Sequence, residues 1–132
     1  MDQKLAHLQF IQAAITRMAS NSFLIKGWSI TLVAALFALA AAGSQPRFVQ
    51  LAFFPAFAFW LLDGYFLRQE RLFRRVYDHV RKLDAADIDF AMDTTPFAAK
   101  VESWLATCFS ATLATFHGAI AASILVVMRV VG

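Results

Sequence analysis

The residue best suited to proton or ion chemistry is His117, which lies in a long apolar stretch near the carboxyl end of the sequence. A titratable side chain inside such a stretch is costly to bury unless it is paired or hydrated, so it marks a candidate functional site. Small and hydroxyl residues share its helix face at steps of three and four: Thr107, Ser110, Ala114 and Ala121. This face could line a narrow water path. The alternative is a packing seam in which a neutral imidazole bonds a hydroxyl or carbonyl of a neighbouring helix.

A second candidate is Asp63, at the inner end of an earlier apolar stretch. Rings of acidic side chains select cations in oligomeric channels, so Asp63 joins His117, Thr107 and Ser110 as a pore-lining candidate. The alternative is a salt bridge to Lys26, which we expect at a similar depth. A proton-coupled carrier or intramembrane enzyme would need a second polar group level with His117, and Gln50 is the only weak candidate.

A basic stripe follows Asp63 at steps of three and four, and its members are Arg68, Arg71, Arg75, His79 and Lys82. One interpretation is attraction to anionic lipid headgroups, worth about 1 kcal/mol per charge near the surface. The other is the binding of a nucleotide or oligonucleotide by arginine forks. Both remain open on the sequence alone.

Motifs of phosphate loops, zinc proteases and nucleophile elbows do not occur in the sequence, and Cys108 is the single cysteine. Four aspartates cluster in one loop: Asp84, Asp87, Asp89 and Asp93. They could contact the basic stripe or bind calcium weakly, but their spacing does not match an EF-hand. We expect a solvated loop, no metal, no cofactor and no enzymatic activity.

Composition indicates which elements must position these residues. Of 132 residues, 60% are hydrophobic and only 16% are charged, and the mean hydropathy is +0.60. Soluble domains are nearer half apolar and a quarter charged. The core of a soluble domain of this length could not bury so much apolar surface. The sequence therefore predicts a single-domain, all-α integral membrane protein in a lipid bilayer.

The predicted elements are an amphipathic helix over 3–21, spans at about 22–43, 48–67 and 104–128, a cytosolic extension of the second span over 68–83 and a loop over 84–95. Apolar residues of the first helix recur at helical spacing: Leu5, Leu8, Ile11, Ile15 and Met18. This face could lie on the membrane surface or pack against another cytosolic helix. Pro55 is expected to kink the second span, and Thr95-Pro96 is expected to open the third helix.

Orientation follows from the basic residues. With the N-terminus inside, ten are cytosolic: Lys4, Arg17, Lys26, Arg68, Arg71, Arg74, Arg75, Arg81, Lys82 and Lys100. Only Arg47 and Arg129 lie outside. The positive-inside rule therefore predicts an inner (plasma) membrane protein with a cytosolic N-terminus and an external C-terminus.

A second stripe of the third span carries only small side chains, at Ala111, Thr115, Gly118 and Ala122. Small residues four apart let helix backbones approach closely in lipid. Three spans alone bury little of such a surface. We therefore expect this stripe to be the seam of a homo-oligomer.

The order of elements from Leu5 to Leu83 resembles the SLATT-like small membrane effectors of bacterial defence systems. The segments that carry the resemblance are Asn21–Trp28, Phe59–Tyr65 and Arg68–Arg74. The resemblance implies an oligomeric channel or pore controlled by a nucleotide signal from a partner enzyme in antiphage defence. The third span departs from the two-span plan of those proteins.

The sequence thus favours an oligomeric channel or pore-forming effector, gated by an anionic nucleotide-type ligand. The alternative is a non-conducting scaffold or accessory subunit whose cytosolic helices recruit a soluble signalling enzyme.

Overall fold

A computed structural model describes residues 2–43 and 46–131. It contains the helices α1 (Asp2–Gly43), α2 (Arg47–Leu51), α3 (Phe53–Val80), α4 (Trp104–Cys108) and α5 (Ala111–Val131). Two 3-10 helices, Ala85–Asp87 and Thr95–Lys100, lie between α3 and α4. Three helical segments are long and apolar enough to cross a membrane: Asp2–Gly43, Arg47–Val80 and Ala111–Val131. The predicted all-α fold with three such helices is confirmed.

The first helix is longer than either of the two elements predicted for it. The amphipathic segment and the first span form one 42-residue helix. These residues contain no proline, and the only glycine before the final residue is Gly27. α1 and α3 form an antiparallel pair, and α5 packs against α3. We call the end of the bundle that carries Arg68–Lys82 the charged end and the opposite end the apolar end.

At the charged end, Ile11 and Ile15 of α1 form a buried cluster with Val76 and Val80 of α3. All four side chains are at most 3% exposed. The apolar face of the predicted amphipathic helix therefore packs on another helix and does not lie on a membrane surface. Full burial of such a side chain stabilises a fold in water by about 1.5–3 kcal/mol.

At the apolar end, small and branched side chains from four helices form a second buried cluster: Val33, Ala40, Val49, Ala52, Ala56 and Ile124. The second span is broken here, since α2 ends at Leu51 and α3 begins at Phe53. Pro55 lacks the N–H that would bond the Leu51 carbonyl, and its ring crowds that carbonyl. The prediction that Pro55 distorts this span agrees with a break one turn before it.

The third helix begins later than predicted. Thr95 and Pro96 open a 3-10 helix instead, and the Ser103 hydroxyl caps α4 by accepting the Ala106 N–H at 3.2 Å. The apolar segment 104–128 is then interrupted between Cys108 and Ala111. Trp60 Nε1 donates to the Cys108 carbonyl at 2.7 Å, taking an acceptor that a continuous helix would offer to the residue four positions on.

The α3 extension ends at Val80, three residues before the predicted end, and leads into the aspartate-rich loop. Asp89 and Asp93 accept backbone N–H groups of Ala91 and Thr95, each at 3.0 Å. The bond to Thr95 holds the pKa of Asp93 below its usual value. Within residues 2–43 and 46–131, these aspartates form no metal-binding group and no ion pair with the basic stripe. The loop is tied to α1 where the His7 Nε2–H donates to the Ala91 carbonyl at 3.0 Å.

Close packing of α3 on α4 depends on Gly64. A Cβ at this position would overlap Cys108 Sγ and lie 3.3 Å from Trp104 Nε1. We expect Gly64→Ala to lower the free energy of unfolding by about 1–3 kcal/mol, measured by denaturation in detergent micelles. Gly27→Ala is the matched control, because a Cβ there meets nothing within 4 Å. Equal stability of the two variants would contradict the packing of α4 on α3.

Candidate functional site

Between the two apolar clusters lies a group of polar side chains, Ser22, Lys26, Asp63 and His117, which we call the polar cluster; all but Lys26 are buried. Asp63 is its centre and is 0% exposed. Its Oδ2 atom accepts from Lys26 Nζ and from His117 Nε2, each at 2.7 Å. Its Oδ1 atom accepts from the Ser22 hydroxyl. Both carboxylate oxygens are therefore satisfied by the protein itself.

Each member of the polar cluster is placed by ordinary helix geometry. Ser22 and Lys26 are one turn apart on α1, and Lys26 Nζ donates to Ser22 Oγ at 2.9 Å. The ammonium group also lies 5.8 Å from the centre of the Phe116 ring. Asp63 lies on α3 and His117 on α5. The carboxylate thus joins the three long helices at a single level of the bundle.

His117 is held on three sides. Because a carboxylate only accepts, Nε2 carries the proton in its bond to Asp63. The Trp60 ring stacks on the imidazole with 5.7 Å between ring centres. The Phe116 ring makes a T-shaped contact with the imidazole, with 5.0 Å between ring centres. Its Nδ1 atom is buried and has no hydrogen-bond partner in the described part of the chain.

The structure confirms the Lys26–Asp63 salt bridge and corrects the partner expected for His117. That partner is a carboxylate, not a hydroxyl or carbonyl, and Gln50 is exposed near the apolar end. The predicted third span begins at Trp104, which places His117 deep within it. α5 begins at Ala111, so His117 is six residues along it, a rise of about 9 Å, and its bond to Asp63 shows that the two side chains lie at the same level.

The predicted pore-lining residues lie inside the protomer. Asp63, Thr107 and His117 are at most 1% exposed, and Ser110 is half-buried. The Thr107 hydroxyl donates to the Ser103 carbonyl at 2.8 Å. Beyond the polar cluster, the interior of the described bundle holds the buried Ser29 and the apolar cluster around Val33 and Ile124. Within the described residues, 2–43 and 46–131, no continuous polar path therefore runs through one protomer.

The basic stripe divides into paired and unpaired members. Arg68 Nε donates to the Glu102 carbonyl at 3.1 Å, and the Arg71 guanidinium lies 3.9 Å from the Glu102 carboxylate. His79 packs on the Phe97 ring at 5.5 Å. Arg75 and Lys82 are exposed and have no carboxylate partner in the described ranges.

An open groove of about 540 Å³ lies beside this stripe, and we call it the basic groove. Its lining residues are Arg71, Arg74, Arg75, Asp78, Lys100, Val101, Glu102, Ser110 and Ala111. Arg74 and Lys100 were not among the ligand candidates from the sequence, since neither lies on the predicted stripe. The groove joins the charged extension of α3 to the start of α5.

The predicted seam lies on the outer surface of α5. Ala111, Thr115 and Ala122 are exposed, and Gly118 is half-buried with nothing within 4 Å of a Cβ placed on it. More generally, the exposed residues from 111 to 123 are all small: Ala111, Thr112, Thr115, Ala119, Ala122 and Ser123. We call this surface the small-residue face.

The exposed surfaces of the other two long helices are different. The apolar stretch of α1 exposes Phe23, Leu24, Trp28, Ile30 and Leu39, and α3 exposes Phe54, Phe57, Leu61 and Tyr65. Such large apolar side chains suit contact with lipid tails. The small-residue face of α5 lacks them and carries three hydroxyl groups instead.

Comparison with protein-family models, with curated proteins and with solved structures found no match for this chain.

The polar cluster generates a prediction for stability. Replacing Asp63 with Asn leaves the Lys26 charge without its counter-ion, and breaking a buried pair from one side typically costs about 3–5 kcal/mol. The loss of unfolding free energy should be near the lower end of this range, because the Lys26 side chain is 20% exposed. Denaturation of Asp63→Asn, Lys26→Met and the double variant gives the coupling energy.

We expect the double variant to be more stable than the sum of the two single losses implies. The exposed pair Arg81–Asp78 is the matched control, with N···O at 3.4 Å and both side chains more than half exposed. Its coupling should stay below about 1 kcal/mol. Strictly additive losses at Lys26 and Asp63 would show that the two charges do not interact.

Proposed function

We propose that this chain is a subunit of an oligomeric membrane channel or pore-forming effector. The observation that carries the proposal is the small-residue face, which α1 and α3 leave uncovered. Lipid tails are as apolar as leucine, so helices associate in a bilayer through close packing and interhelical hydrogen bonds. Small and hydroxyl side chains supply both, although the Ser123 hydroxyl already donates to the Ala119 carbonyl within α5, at 2.8 Å.

The proposed pore lies between protomers. Asp63 and His117 are enclosed by their own protomer, so they hold the bundle together and do not line the conduction path. Thr112 and Thr115 are exposed on α5 and would provide hydroxyl groups at the subunit junction or along the pore. In this proposal, conduction takes place along the surface that the sequence predicts to be the seam of a homo-oligomer.

The proposed orientation places the charged end in the cytosol, in keeping with the distribution of basic residues. The basic groove then opens to the cytosol next to Ser110 and Ala111, where the small-residue face begins. An anionic ligand in the groove would therefore contact the helix through which subunits associate. Gating by a nucleotide-type signal, as in the defence effectors that the chain resembles, is compatible with this arrangement.

Conductance tests the channel directly. In planar bilayers or in liposome flux assays, we expect Thr115→Leu to abolish or strongly reduce ion conduction, because a large apolar side chain would dry and narrow the junction. Thr31→Leu is the matched control, since Thr31 is exposed on α1 and its hydroxyl donates within its own helix, to the Gly27 carbonyl at 2.9 Å. Equal loss of conduction in both threonine variants, or none in either, would contradict the proposal.

The size of the complex gives a second test. Gly118→Leu should shift the detergent-solubilised complex to smaller species.

A second candidate is a non-conducting scaffold that recruits a soluble signalling enzyme, and the exposed basic side chains of α3 favour it. Arg75, His79 and Lys82 are all exposed at the charged end. Replacing them with glutamate should abolish co-purification of a partner while leaving membrane insertion intact. Arg68 is left unchanged, because its bond to the Glu102 carbonyl supports the fold. Retention of the partner by the triple variant would eliminate this function.

A further inference from the structure

The basic groove carries more positive charge than its own carboxylates neutralise. Four cationic side chains line it, from Arg71, Arg74, Arg75 and Lys100, against two acidic ones, from Asp78 and Glu102. The difference, four minus two, leaves two positive charges. A groove with this excess attracts an anion of matching charge.

The charges in the groove are not equally available. Arg71 and Arg74 already face carboxylates, Glu102 at 3.9 Å and Glu70 at 3.5 Å. Asp78 is occupied by Arg81 at 3.4 Å. Arg75 and Lys100 have no carboxylate within 4.0 Å in the described ranges, and the Lys100 ammonium lies only over the Phe97 ring, at 5.6 Å. The excess charge therefore belongs to Arg75 and Lys100.

Two further features of the groove favour an anion with several acceptor oxygens. Ser110 lines the groove, and its hydroxyl is buried in the groove wall and has no hydrogen-bond partner in the described structure. α5, a helix of 21 residues, begins at the next residue, so the positive end of its dipole lies at the same wall. Donors on α3, on the 3-10 helix and at the start of α5 thus surround the groove from different directions.

We propose that the basic groove binds a phosphate monoester, with Arg75 and Lys100 as the primary charged ligands and Ser110 as a hydrogen-bond donor. A phosphate monoester carries close to two negative charges at neutral pH and three terminal oxygens, which matches the excess charge and the spread of donors. The same chemistry is present in a free phosphorylated ligand and in the headgroup of an anionic lipid. This inference rests on the proposed function, since it names the ligand class of the groove through which we propose gating.

The test uses the full chain in nanodiscs of phosphatidylcholine. In one arm, inorganic phosphate is titrated and its binding is followed by calorimetry and by the shift of the thermal unfolding midpoint. In the other arm, phosphatidic acid replaces part of the phosphatidylcholine, with no phosphate in the buffer. A rise of the unfolding midpoint in the first arm supports a free ligand, and a rise in the second alone supports a lipid headgroup.

The variant Arg75→Gln/Lys100→Gln should abolish the rise in whichever arm shows it, and Ser110→Ala should weaken it. Lys4→Gln/Arg17→Gln is the matched control, because it removes two positive charges that lie on the charged half of α1 and outside the groove. The control should retain the full rise. Circular dichroism of each variant verifies that its helices remain folded.

Absence of a rise in both arms would overturn the proposal, and so would an equal loss in the groove variant and the control, which would indicate unspecific attraction of anions. Conductance separates this failure from failure of the channel. A protein that conducts but does not bind phosphate refutes only the ligand site. A protein that binds phosphate in the groove but never conducts refutes only the channel.

Discussion

A single buried carboxylate constrains the whole bundle. Removing a charged group from water costs several kcal/mol even in relaxed proteins, and the cost falls only when the partners are close and well oriented. Asp63 meets this condition with an ammonium and a hydroxyl from α1 and an imidazole from α5. A shift of α1 by one turn would remove the Lys26 and Ser22 partners, and a shift of α5 by one turn would remove the His117 partner. The polar cluster therefore sets the register of all three long helices.

The location of this cluster also decides which surfaces remain for function. It lies between two apolar clusters, one that joins α1 to the extension of α3 and one that closes the apolar end. With the interior filled in this way, the two surfaces to which we assign function are the small-residue face of α5 and the basic groove at its start. These two surfaces adjoin at Ser110 and Ala111, which is why we connect ligand binding to subunit association.

Much of the fold could be predicted from the sequence, because hydropathy and helical periodicity are local signals. The three apolar helices, the distortion near Pro55 and the Lys26–Asp63 pair all follow from composition and depth. The pairing of His117 with Asp63 could not be predicted, since it depends on where α5 begins. That boundary depends in turn on Trp60, which bonds the Cys108 carbonyl from a residue 48 positions earlier. Such a contact leaves no periodic signal in the sequence.

An electron cryomicroscopy structure of the chain in lipid nanodiscs tests the central claim most directly. We predict that Asp63 contacts Lys26 and His117 of its own protomer, within about 3 Å, and that Thr115 and Gly118 face a neighbouring subunit or a central pore. An assembly in which Asp63 and His117 face the symmetry axis while the small-residue face of α5 meets lipid would contradict it.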